Sequence, residues 1–215
     1  DTYGAQIVTV GTRDADVMIE ATEIDGGSWS ITLNSDDPRV PTLTFELPLI
    51  GDHNVMNAAL AVTLALLIDV DTADQIPFFT KTIAQIPHRL QKIDVPGSAL
   101  ILDDAYNSNE LGFMSAVSAL DKLAKHRGIA ELGLEHDRVH ARLGTYSGAL
   151  CDVIYVVNPS RIESFATTAN LETAEVIEVP TFYAARDAIA KTLTKDDVVL
   201  YENDLPDLLE EKRFL

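Results

Sequence analysis

The sequence predicts an α/β protein in two parts, an antiparallel β region with helices followed by a mostly parallel sheet with helical crossovers. Short β-rich runs separated by turn residues fill positions 6–50, and an apolar helical stretch follows them. From about residue 99 onward, apolar β runs alternate with helical spans at the spacing of βαβ units. With 215 residues and 47% apolar side chains, the chain has material for one large core or two small ones.

Ile7–Val10, Val17–Ala21, Ser28–Leu33 and Leu43–Leu47 read as hairpin strands, with Asp25, Gly26 and Gly27 supplying turn chemistry. Gly51 then leads into an apolar helix over Asn54–Ile68, where an Asn or Asp is placed to cap the first turn. A second helix is expected over about Thr72–Ala84, ending before Pro87. Strands follow at Ala99–Asp103, Val153–Val157, Glu175–Val179 and Val198–Tyr201. Helices near Leu111–Lys125, Glu135–Leu150, Ile162–Ala169 and Ala184–Leu193 separate them, which makes the sheet mostly parallel. The turn residues of Asp94–Gly97 put the domain boundary between 88 and 97, giving domains 1–90 and 91–215. One step fails: after Lys125 the chain runs through His126, Arg127 and Gly128 with no return strand, so residues are expected to be missing near 125–128.

Sixteen basic residues against 34 acidic ones give a net charge of −18, which repels phosphate backbones and argues against a nucleic-acid partner. The longest apolar run, Ala58–Ile68, is interrupted by Thr63 and is too short to span a bilayer. The chain opens on Asp1 with neither a basic nor an apolar leader region, so no secretory signal is expected and the start reads as cut or processed. Cys151 heads an apolar run and reads as a buried thiol.

Two constellations carry chemistry. Gly51–Asn57 (GDHNVMN) is a glycine turn feeding a helix, with His53, Asn54 and Asn57 at its start; it suits either capping or the edge of a polar ligand. Asp103–Asn109 (DDAYNSN) follows an apolar strand, at the strand end where open α/β sheets bind ligands. Its two carboxylates need hydroxyl donors, a cation or solvent, and an Asx turn with capping by Asn107 or Asn109 is the structural alternative.

Taken together, these segments resemble the Mur ligase superfamily. Gly51, His53, Asn54 and Asn57 match the family's stretch near adenine, and Pro87–Leu90 (PHRL) matches its arginine junction. Asp103–Asn109 resembles the D-D-x-Y-N-x-N signature of the branch that adds D-alanyl-D-alanine, and Glu131–Gly133 followed by His140 resembles the family's E-L-G…H stretch. The resemblance implies the end of the family's central ATPase domain followed by a Rossmann-like C-terminal domain. It implies an ATP- and Mg²⁺-dependent ligase that activates a UDP-N-acetylmuramoyl-peptide carboxylate as an acyl phosphate and joins it to D-alanyl-D-alanine, in the cytoplasm and without membrane insertion. Asn54, with His53 and Asn57 nearby, would meet adenine. Arg89 would reach the phosphates or ribose, and Asp104 the ribose hydroxyls. Tyr106 would shape the nucleotide site, while Asn107, Asn109 and His140 would lie toward the substrate. Glu110 stands where the family usually has proline, and Val199–Pro206 (VLYENDLP) replaces the common K-G-S-R turn. No G-x-x-x-x-G-K-[ST] sequence occurs, so the phosphate loop, the metal ligands and a UDP-sugar domain are expected upstream of this chain, which alone should not turn over.

Overall fold

A computed structural model describes residues 6–24, 27–106, 109–123 and 137–202, together with the backbone of 126–131. Its contacts divide the chain into two units, 1–84 and 85–215, so the second unit starts six residues before the boundary read from the turn chemistry.

In the first unit, period-two alternation builds one sheet from Val10–Gly11 (β1), Val17–Ile24 (β2), Ser28–Ser35 (β3) and Leu43–Leu47 (β4). β2, β3 and β4 form an antiparallel meander in which Ile31 lies between Ala21 and Phe45, while β1 pairs parallel with β2. One face is apolar, with Val17, Ile19, Ile31, Leu33, Phe45 and Leu47 buried. The other is polar, where Thr32 and Thr44 pair through their hydroxyls at 2.9 Å and Asn34 donates to Glu20 at 3.3 Å. Helix α1 (Asp52–Ile68) covers the apolar face with Val55, Ala59, Val62 and Leu66, at the four-three-four spacing of a single helix stripe. Its opposite side is apolar as well, with Leu60, Leu64 and Ile68 exposed.

Three expectations for this unit are corrected. The first strand is Val10–Gly11 and not Ile7–Val10, and it pairs parallel with β2 and not as a hairpin. No Asn or Asp side chain caps α1; Gly51, at φ 97°, is the N-cap. The anticipated Thr72–Ala84 helix is a short 3-10 turn at Val70–Thr72 and a six-residue helix, α2 (Ile76–Lys81). Pro77 fits only a helix's first turn, because its ring clashes with the preceding turn and it has no N–H to donate. The helix therefore cannot run through from Thr72.

The second unit is a six-stranded sheet of Gln91–Ile93 (β5), Leu100–Asp104 (β6), His126–Glu131 (β7), Val153–Val157 (β8), Glu175–Val179 (β9) and Asp197–Glu202 (β10), in the order β5-β6-β10-β7-β8-β9. All neighbours run parallel except β5 with β6. Helices α3 (Glu110–Leu123), α4 (Asp137–Leu150), α5 (Glu163–Ala169) and α6 (Phe182–Thr192) make the crossovers. The connections through α3, α4 and α5 advance along the sheet, whereas α6 returns from β9 to β10. Right-handed crossovers therefore put α6 on the opposite face. Burial agrees: Tyr155, Val157, Val199 and Tyr201 pack with Ala185 and Ile189 of α6. The alternating Ile154, Val156, Val198 and Leu200 are buried too, so both faces are covered. The absence of a return strand after α3 is corrected, because β7 pairs with β10 through Val199↔Gly128 and with β8 through Ile129↔Ile154. The expectation of missing residues near 125–128 loses the observation behind it; Lys125 itself lies outside the described residues.

Candidate functional site

The C-terminal end of β6 carries two carboxylates, and each bonds to the Pro87–Leu90 junction. β5 lies antiparallel to β6 with Gln91 opposite Asp103, so the residues just before β5 reach past the end of β6. Asp103, 1% exposed, places Oδ2 2.8 Å from His88 Nδ1, and its Oδ1 accepts the Ala105 N–H at 3.2 Å. Asp104 Oδ1 accepts the Leu90 N–H at 2.8 Å, and the His88 carbonyl accepts the Tyr106 N–H at 3.1 Å. The junction is held in an uncommon backbone, with φ 59° at His88 and 49° at Leu90. A non-glycine residue there costs on the order of 1–3 kcal/mol and persists only where its surroundings enforce it. Here the two carboxylates and the burial of the Leu90 side chain do so.

Between those two strained residues stands Arg89. Its guanidinium lies over the Tyr106 ring, Cζ 4.5 Å from the centroid, and is paired with no carboxylate among the described residues. In a chain with twice as many acids as bases, an exposed arginine without an acidic partner keeps its donor fork available for an anion. Tyr201, opposite Asp103 in the β10–β6 register, is pushed to a raised pKa by burial; nearby Arg186 opposes the shift and Asp103 reinforces it. It therefore stays a neutral phenol in the floor beneath the strand end.

The remaining predicted residues fall as follows. Asn109 accepts the Gly112 N–H through Oδ1 at 3.0 Å and so caps α3, the structural alternative read from the sequence. Asn107 lies outside the described residues. His140 is buried on α4. In the first unit, Asn54 donates through Nδ2 to the Ile50 carbonyl at 2.7 Å, while His53 and Asn57 are exposed on the first turns of α1. The sequence reading quoted His88 and Asp103 within their motifs but gave neither a site role. The signal for them was present, since His88 lies inside the junction motif and two adjacent carboxylates ending an apolar strand demand partners.

A family model described as the Mur ligase, glutamate ligase domain, matches residues 88–201, from the strained junction to the end of the central strand β10 and over more than half of the chain. This chain belongs to the Mur ligase family. Among curated relatives, the Mur ligase chain is 34% identical over 103 residues to the UDP-N-acetylmuramoyl-tripeptide–D-alanyl-D-alanine ligase of Escherichia coli, covering 46% of this chain and 23% of that protein. It is 35% identical over 114 residues to the UDP-N-acetylmuramate–L-alanine ligase of Halorhodospira halophila, covering 50% and 23%. Among solved structures, the MurF ligase of Thermotoga maritima in complex with ADP superposes with a TM-score of 0.70 at 20% identity, over 91% of this chain and 44% of that one, which shows the shared fold. The Mur ligase chain thus spans about a quarter of the length of these curated relatives and under half of that solved chain. No helix among the described residues is long and apolar enough to cross a membrane.

Proposed function

We propose that this Mur ligase chain is the C-terminal part of an ATP-dependent ligase that joins the carboxylate of a UDP-N-acetylmuramoyl-peptide to D-alanyl-D-alanine through an acyl phosphate, in cytoplasmic peptidoglycan precursor synthesis. The observation that carries this reading is the Asp103–Tyr106 segment folded against the Pro87–Leu90 junction, with Arg89 left without a carboxylate among the described residues. The 34% identity to a UDP-N-acetylmuramoyl-tripeptide–D-alanyl-D-alanine ligase supports the choice of amine.

In this reading Arg89 meets the phosphates or ribose of ATP, and its charge and planar fork fit an anion better than a lysine would. Asp104 faces the ribose, oriented by the bond from the Leu90 N–H. Asn54, flanked by His53 and Asn57, meets adenine, and Tyr106 shapes the nucleotide site. Asn107, Asn109 and His140 lie toward the amine substrate. Among the described residues no group of three or more His, Cys, Asp or Glu could hold a metal ion. Magnesium is therefore assigned no ligand here, and no step is routed through it. Chemistry of this kind is mostly positioning and charge neutralisation, to which Arg89 would contribute on the nucleotide side.

A second reading, a Mur-type ligase with another amine or acyl acceptor, is favoured by the comparable identity to an L-alanine ligase and by Glu110 in place of the usual proline. The test is to sequence and express the gene in full, including whatever precedes Asp1, and to follow ADP release with the UDP-linked tripeptide and a panel of amines. Release that depends on D-alanyl-D-alanine supports the first reading. Release driven by a single amino acid selects the second, and no release with any amine would mean a non-catalytic nucleotide- or partner-binding module of the same fold.

A further inference from the structure

The bonds around His88 close a ring. Its side chain meets the buried Asp103, Asp103 accepts the Ala105 N–H, and the next residue, Tyr106, donates its N–H back to the His88 carbonyl. Where Asp103 is ionised it can only accept, and His88 Nδ1 is then the donor of this bond. Arg89, the next residue along, rests on the ring of that same Tyr106. One residue thus ties the arginine's own peptide to the platform beneath its guanidinium, and β6 anchors the tie from inside the sheet.

We propose that His88 and Asp103 are a positioning pair that holds the Arg89 guanidinium on Tyr106 and presents it to an anionic ligand. The proposal rests on the reading of Arg89 as a nucleotide contact, and it adds two residues that would touch no substrate. It also explains why a carboxylate 1% exposed is kept where an apolar side chain would pack at less cost. Asparagine is the conservative replacement at position 88, because its Nδ2 stands near the place of Nδ1 and it tolerates the left-handed backbone. At position 103, asparagine is a disruptive one: an amide cannot accept from both His88 and Ala105 without turning a donor toward one of them.

The experiment pairs NMR on the 215-residue chain, following the Arg89 side-chain resonances and the His88 tautomer, with ADP titration of the same variants in the full-length ligase. In the parent, Arg89 should carry a ring-current shift from Tyr106, and His88 should be protonated at Nδ1. His88→Ala and Asp103→Asn should move Arg89 to solvent values while the resonances of β8 and α6 stay in place, and His88→Asn should restore the parent pattern. ADP binding should weaken by roughly three- to tenfold in each disruptive variant and by no more in Asp103→Asn/Arg89→Ala than in Arg89→Ala alone, the non-additivity of residues acting as one unit. An unchanged Arg89 signature in both disruptive variants overturns the positioning role whatever ADP does, as does an Nε2-only tautomer. An altered Arg89 signature with ADP indifferent to Arg89→Ala upholds the pair and sinks the nucleotide reading instead.

Discussion

Asp37 lies between β3 and β4 and takes bonds from Arg39 through the backbone N–H at 2.9 Å, Nε at 3.0 Å and Nη2 at 2.6 Å. The side-chain bonds from Arg39, then its backbone N–H, hold the Asp37 carboxyl down at about 2. A lowered folded pKa contributes stability that is complete above the unfolded value near ~3.9 and is lost as pH falls toward the folded one. Asp37→Asn should therefore lower the melting temperature of the chain at neutral pH, and the gap to the parent should close between about pH 4 and pH 2. Circular dichroism melts at stepped pH decide it, and a gap of constant size at pH 2 would refute the pairing. At the site, Asp104→Asn in a full-length ligase removes a charge-assisted bond worth about 1.5–3 kcal/mol, so the Michaelis constant for ATP should rise by roughly one to two decades with turnover little changed. A turnover loss at unchanged ATP dependence would count against the ribose assignment. Motif reading picked out Arg89, Asp104 and Tyr106, which do gather at one strand end. It signalled that the Asp103–Asp104 pair needs partners but did not join Asp103 to His88, because that bond depends on a left-handed backbone and on burial that local spacing does not show.

Helices α4 and α5 cross at two glycines. A Cβ at Gly144 would stand 2.3 Å from the Phe165 carbonyl oxygen and 2.3 Å from Thr168 Oγ1, and one at Gly148 would stand 2.8 Å from the Ala169 carbonyl oxygen. Alanine in a helix gains about 1 kcal/mol over glycine, whereas forcing a methyl into packed backbone costs about 1–3 kcal/mol. The clash wins where a carbonyl is that close. Gly144→Ala should lower the denaturant midpoint, and Gly148→Ala should do so less; a stabilised Gly144→Ala would show that the helices part at little cost. Elements with a clear local pattern were legible: β4, β8 and β9 fall where the β-rich and apolar runs put them, and α3 and α5 within two residues. β5 and β7 were not, because Gln91–Ile93 is too short to show alternation and His126–Glu131 has no apolar run. The register they take from their neighbours makes them strands.

At the scale of the whole molecule, the two candidate boundaries make different proteins. A chain from Gln85 keeps the junction, whereas one from Gln91 loses His88 and the Leu90 N–H, leaving Asp103 buried without its imidazole. Stranding a buried acceptor costs about 1–3 kcal/mol and more when it is charged, so residues 91–215 should unfold at lower denaturant than residues 85–215. Equal midpoints would mean that the junction does not stabilise the second unit. The 215-residue chain should bind ATP weakly or not at all, since its sequence lacks the glycine-rich loop and lysine that cradle phosphates in loop-type sites. Calorimetry giving micromolar affinity would contradict this. The strand order has one more consequence, and it concerns birth rather than function. β10 fills the slot between β6 and β7, yet it is made last. At roughly 5–20 residues per second, a ribosome needs on the order of 5–20 s to travel from Asp104 to Asp197. Throughout that interval the nascent sheet cannot close, and the inner edge of β6, joined by that of β7 once it is made, stays open to any passing strand. Chaperone capture of ribosome-bound chains should accordingly persist until β10 has emerged.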